Sequence, residues 1–156
     1  MIPTADFMYN YDYAKRLYKG DGDFEDIWRR IVGLGADFEK IYEEYIGRIL
    51  KSIEKYSGYS WESQAEEFLQ IYVVDSAPSF AHPLTLSISD DPVAMLEDFI
   101  YQLANRNMYF GFKTDELKKK CLKLVVDYVM QDLDLKKVAK SDWDLYHKTI
   151  KQYLRK

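Results

Sequence analysis

The chain has 156 residues, 47% hydrophobic and 31% charged, with a formal net charge of −4 and one cysteine, Cys121. That make-up suits a single domain with a sizeable core over residues 1–156. It excludes an internal disulfide and a multi-cysteine metal site, and no apolar run approaches the roughly 18 to 20 residues of a membrane helix. Asp6, Asn10 and Asp12 stand where a signal peptide would carry its apolar stretch, so a cytoplasmic protein without membrane partners is expected.

The first segment carries two periodicities. Phe7, Tyr11, Ala14 and Tyr18 follow helical spacing, whereas Tyr9, Tyr11 and Tyr13 alternate as a strand would. The reading adopted is a helix over about 5–19, stopped at Gly20 to Gly22. The longest periodic stretch is next, from Asp23 to Tyr56. Phe24, Ile27, Trp28, Ile31, Leu34, Phe38, Ile41, Tyr42, Tyr45, Ile46, Ile49, Ile53 and Tyr56 fall on one side of a helical wheel, and the charged residues fall on the other. Asp23 is its N-cap, Gly58 its end, and the pairs Glu25/Arg29, Asp26/Arg30 and Glu44/Arg48 have the spacing and order of helix-surface ion pairs. Gly33 and Gly47 sit on the polar side, where each costs about 0.8 to 1 kcal/mol against alanine; a close partner backbone would be one reason to keep them there.

Ser60 caps an expected helix over about 61–74, with Trp61, Ala65, Phe68, Leu69 and Tyr72 as its stripe. Residues 75–91 lose the helical period; Leu84, Leu86 and Ile88 alternate with polar residues as a short extended piece would. Asp91 before Pro92 opens a helix to about 105. After a loop rich in Tyr109, Phe110 and Phe112, Thr114 opens another to about 131, with Cys121, Leu124, Val125 and Tyr128 inward and Lys118, Lys119, Lys120 and Lys123 mostly outward. Ser141 begins a last helix. The expectation is an all-α domain of six or seven helices around the 23–56 helix, with a short extended segment near 84–88.

Three sets of residues bear on function. Residues 1–112 hold 10 Lys/Arg against 19 Asp/Glu, and residues 113–156 hold 12 against 7. The basic third, with Lys118, Lys119, Lys148, Lys151 and Arg155 as phosphate contacts, is the candidate for nucleic-acid binding, and its last two helices are loosely similar to a helix-turn-helix. The 14 tyrosines favour protein interfaces, with Tyr11, Tyr18, Tyr109, Phe110 and Phe112 as the candidate patch. Asp75, Ser76, Ser79 and His82 gather polar types in one loop, without the glycines or strand-turn-helix context of a nucleophile elbow. A metal-dependent nucleotide hydrolase would need paired carboxylates; Glu39/Glu43 and Glu62/Glu66 are four apart, and no Glu-x-x-Glu occurs. No catalytic constellation is complete and no cofactor or metal is expected. The residues point first to a non-enzymatic interaction or adaptor module that self-associates through aromatic helix faces, next to nucleic-acid binding through 113–156, and last to the hydrolase.

Overall fold

The computed structural model describes residues 4–61, 68–108 and 114–137. They form β1 (Thr4–Met8), α1 (Tyr11–Leu17), α2 (Phe24–Ser57), β2 (Phe68–Val74), β3 (Phe80–Ala81), β4 (Leu84–Ser87), α3 (Pro92–Asn107) and α4 (Asp115–Asp132). Four strands join in the order β1-β2-β4-β3. β1 runs parallel to β2 with Phe7 opposite Ile71, β2 parallel to β4 with Val73 opposite Leu86, and β3 antiparallel to β4. The fold is therefore mixed α/β, and the all-α expectation is overturned: the described residues hold four helices and this sheet.

Two expected helices account for the difference. Over 5–19 the chain spends its first five residues as β1 and becomes helical only after Asn10, whose side chain accepts the Tyr13 amide at 3.0 Å and acts as N-cap. In the expected 61–74 helix, residues 68–74 are the central strand β2. Leu69, Ile71, Val73 and Val74 are all buried, with Tyr72 half-buried and Gln70 exposed, and a short run this apolar can be mistaken for a helix stripe. Trp61 is fully buried and donates its indole N–H to the Leu50 carbonyl at 3.0 Å. The extended piece near 84–88 is β4, a member of the sheet. The expected helix from Ser141 lies outside the described residues.

The long helix is where the sequence places it, 34 residues capped by Asp23 and ended at Gly58 in the left-handed region (φ 76°). It runs roughly 51 Å at 1.5 Å per residue. No described helix is long and apolar enough to cross a membrane. One face of the sheet meets α2 and α3 through aromatic rings. Phe7 of β1 lies edge-on to Phe38 (5.9 Å between centroids) and Tyr42 (4.9 Å) and is tilted against Phe99 of α3 (6.4 Å). On the opposite face α1 lays Tyr13 against Tyr72 (4.8 Å), its hydroxyl 2.8 Å from Thr85 Oγ1. The far end of α2 is tied to α4, where Ser52 and Tyr56 donate to the Asp132 carboxylate at 2.9 and 2.7 Å, and Tyr56 stacks on Tyr128. Burial, and then the Asp132 hydrogen bond, raises the Tyr56 hydroxyl above its ordinary pKa.

The glycines of α2 are used differently from the sequence expectation. A β-carbon at Gly33 or Gly47 would meet nothing within 4 Å, so no partner backbone approaches either. At Gly35 it would come within 2.7 Å of the Tyr9 ring, whose hydroxyl donates to Glu39 at 2.8 Å. Gly33→Ala is therefore expected to raise unfolding free energy by about 0.8 to 1 kcal/mol, whereas Gly35→Ala lowers it by displacing Tyr9. Urea denaturation of the two variants checks the opposite signs.

Candidate functional site

The strands β1, β2 and β4 point their carboxyl ends the same way, the usual place for a site in an α/β sheet. Asp75 follows β2 and is buried, and Ser76 takes a left-handed conformation (φ 53°) with its amide bonded to Asp75 Oδ1 at 2.7 Å. Arg30 of α2 donates to Asp75 Oδ2 at 2.8 Å and to Asp90, after β4, at 3.0 Å. The guanidinium fork thus clamps two strand ends to the helix, a geometry suited to Arg and not to Lys. Arg30 was assigned from sequence to the solvent face as the partner of Asp26; instead Asp26 lies 3.5 Å from Arg29. Glu25 accepts from Tyr11, and Arg48 donates to the Asp132 carbonyl at 2.5 Å. A wheel places residues around one helix but cannot show strand ends arriving from 45 and 60 residues away.

The polar loop from Asp75 to His82 divides. Asp75 and Ser76 belong to the Arg30 clamp, and His82 is exposed on the turn between β3 and β4. Ser79 turns toward α3, donating to the Asp98 carboxylate while its Oγ accepts the Ser87 amide at 2.8 Å. Asp98 is thereby tied through Ser79 to the end of β4. In front of it, α3 and α4 diverge around a cleft of about 540 Å³.

This cleft is the second polar site. Ala94, Glu97, Asp98 and Tyr101 come from α3; Lys119, Lys123, Val126 and Asp127 come from α4; Lys136 closes one end. Asp98 is three residues before Tyr101, and Lys119 is four before Lys123, so each helix turns one polar ridge to the cleft. Lys136 donates to Asp127 at 2.5 Å, and that bond raises its ammonium above the ordinary range. Lys119 and Lys123 are exposed and have no carboxylate within ion-pair distance among the described residues. Burial, with Asp98 adding to it, raises the Tyr101 hydroxyl, which keeps it a neutral donor.

Of the expected phosphate contacts among the described residues, Lys119 lines the cleft. Lys118 is half-buried beside it, its ammonium lowered by burial with Asp115 opposing. Lys148, Lys151 and Arg155 lie outside the described residues, as do Tyr109, Phe110 and Phe112 of the aromatic patch and Glu62 and Glu66 of the carboxylate pair. Tyr11 packs edge-on against Phe24 and Trp28, and Tyr18 tilts against Phe24, so each places part of its ring inside the chain and leaves part exposed. Cys121 is fully buried on α4, and burial pushes its thiol up to about 11. Among the described residues no group of three or more His, Cys, Asp or Glu side chains is placed to hold a metal ion. Glu97 and Asp98 were not singled out from sequence, where the available signal was an adjacent acid pair on the helix opened by Asp91 and Pro92, and Arg30 was named only as a helix-surface ion-pair partner.

No protein-family model, curated protein or solved structure matches this chain. Arg30→Met is expected to leave the buried Asp75 without its charged donor and to lower stability by about 1.5 to 3 kcal/mol, the range for hydrogen bonds to charged groups. Urea denaturation reads this directly, and Asp90→Asn, which loses only the exposed partner, should cost less.

Proposed function

We propose that this protein is a non-enzymatic binding module whose ligand is a small polar molecule held between α3 and α4. The observation that carries the reading is one cleft that opposes two lysines lacking carboxylate partners among the described residues, Lys119 and Lys123, to a carboxylate, Asp98, held by Ser79. Its volume falls within the roughly 300 to 1,000 Å³ typical of ligand pockets. Buried Val126 supplies an apolar floor, and the ridges supply donors and acceptors that fix orientation. Binding is favoured over nucleophilic chemistry because the Ser79 oxygen already accepts the Ser87 amide, which draws electron density away from the hydroxyl nearest the carboxylate. Glu97, Asp98 and Asp127 in the same cleft also work against a polyanion, whose affinity grows with the phosphates it can place on cations.

Amide ¹H–¹⁵N spectra recorded with millimolar inorganic phosphate and, separately, ethanolamine test this reading. Saturable shifts are expected at Ala94, Glu97, Asp98, Lys119 and Lys123. Shifts that stay linear with concentration, or that gather elsewhere, would overturn it.

Self-association through an aromatic face is a second reading, and one observation favours it. Tyr11, Tyr18, Ile27 and Trp28 each remain half-exposed after packing, all where α1 meets the start of α2. Light scattering at micromolar concentration should then show a species larger than 18.5 kDa that Tyr18→Ser reduces; an 18.5 kDa particle throughout would end that reading.

A further inference from the structure

The balance of charge across the cleft narrows the ligand to one chemical class. We propose that the cleft takes a phosphorylated primary amine, with a phosphate monoester against Lys119 and Lys123 and the ammonium against Glu97 and Asp98. The inference rests on the α3–α4 cleft being the binding site.

The lining carries three lysines and three carboxylates. Lys136 bonds Asp127 and also feels the charge of Glu97; counted as one cation against Asp127, it leaves two cations on α4 facing two anions on α3. Lys119 and Lys123 lie one helical turn apart, so an anion between them can be reached by both ammonium groups. A phosphate monoester near neutral pH carries close to two charges and three acceptor oxygens. It therefore matches two lysines, where a carboxylate matches one. A simple dianion would leave Glu97 and Asp98 facing it, and a simple amine would leave the lysines facing it. A molecule with both groups neutralises both walls.

The carboxylate wall is prepared for a cation. Asp98 accepts from Ser79 through one carboxylate oxygen, and the Gln102 amide lies 3.5 Å from the other. Glu97, half-buried on the same ridge, interacts with the Lys136 ammonium only through its charge and makes no hydrogen bond among the described residues, so its carboxylate can accept from an incoming ammonium. Tyr101 adds a neutral hydroxyl for a phosphate or ester oxygen. The ester atoms between the charged ends would lie over Val126 and Ala94. A phosphodiester has one negative charge and fits the lysine pair less well, so the free monoester is favoured over a phospholipid headgroup.

Calorimetric titration with O-phosphorylethanolamine, inorganic phosphate and ethanolamine, and co-sedimentation with phosphatidylethanolamine vesicles, separate these chemistries. The monoester is expected to bind about tenfold or more tightly than either fragment, the order of one hydrogen bond to a charged group. Glu97→Gln should bring the affinities for the monoester and for inorganic phosphate toward one another, because it removes the ammonium's partner and also the like charge that faces a simple dianion. The Lys119→Met, Lys123→Met double variant should lose both phosphate compounds, with its thermal transition confirming a folded chain. Equal affinity for O-phosphorylethanolamine and inorganic phosphate, lost in the lysine variant, would overturn the ligand class and leave the cleft as the binding site. Vesicle binding without binding of the free monoester would also overturn the class. If none of the three compounds binds the unaltered protein, both the class and the cleft reading fail.

Discussion

The contact on which the rest of the structure depends is that of Phe7 with Phe38, Tyr42 and Phe99. It joins the edge strand β1 to the middle of α2 and to α3 in one aromatic cluster, in which Phe38 and Phe99 also meet edge-on at 5.6 Å. A five-residue strand has little stability of its own. Its ladder with β2 and this cluster together hold it, so the sheet and the helix layer are set by one group of side chains. Edge-to-face geometry contributes about 0.5 to 1.5 kcal/mol per pair beyond buried area, and it fixes the angle at which α2 and α3 cross the sheet.

α3 inherits its position from that cluster and passes it to the cleft. Leu96, Phe99, Ile100 and Leu103 are buried in the core, while Ala94, Glu97, Asp98 and Tyr101 line the cleft on the same helix. A helix held on one side by large rings has no freedom to rotate, which makes its opposite ridge a fixed wall. Ser79 adds a second constraint, because its hydroxyl joins the segment before β3 to Asp98 and its oxygen accepts from Ser87 at the end of β4. The cleft wall is therefore referenced to the sheet at two points. α4 is anchored at its far end by Asp132, through Ser52 and Tyr56 of α2, with Lys55 at 3.9 Å.

Much of the helix layer was legible in the sequence, because α2, α3 and α4 each have a polar N-cap and a stripe of 3.6-residue period that persists for several turns. Asp23, Asp91 and Thr114 act as those caps. The sheet was not legible for a physical reason. β1 is too short for alternation to outweigh the helical spacing of Phe7, Tyr11 and Ala14, and β2 has Tyr72 and Val74 on the same face as Gln70, which weakens its period of two. Only β4, with polar residues between its leucines, kept the strand pattern. The Asp75 to His82 loop was recognised as polar, but its division between Arg30 and Asp98 depends on pairings across long stretches of chain. Local patterns carry no record of these.

The uneven charge of the chain acquires a physical meaning from the same geometry. Acidic residues of the first two-thirds and lysines of the basic third do not form two separate surfaces; Glu97 and Asp98 face Lys119 and Lys123 across the cleft. Asp132, an acid of the basic segment, is met in turn by hydroxyl and cationic groups of α2. The charges at α2 are joined by hydrogen bonds, whereas those across the cleft are left apart by a ligand-sized gap. Opposite charges that could lower their energy by closing, yet are held open by a rigid helix on one side and an anchored one on the other, keep their attraction for whatever enters between them. That arrangement selects for a molecule charged at both ends.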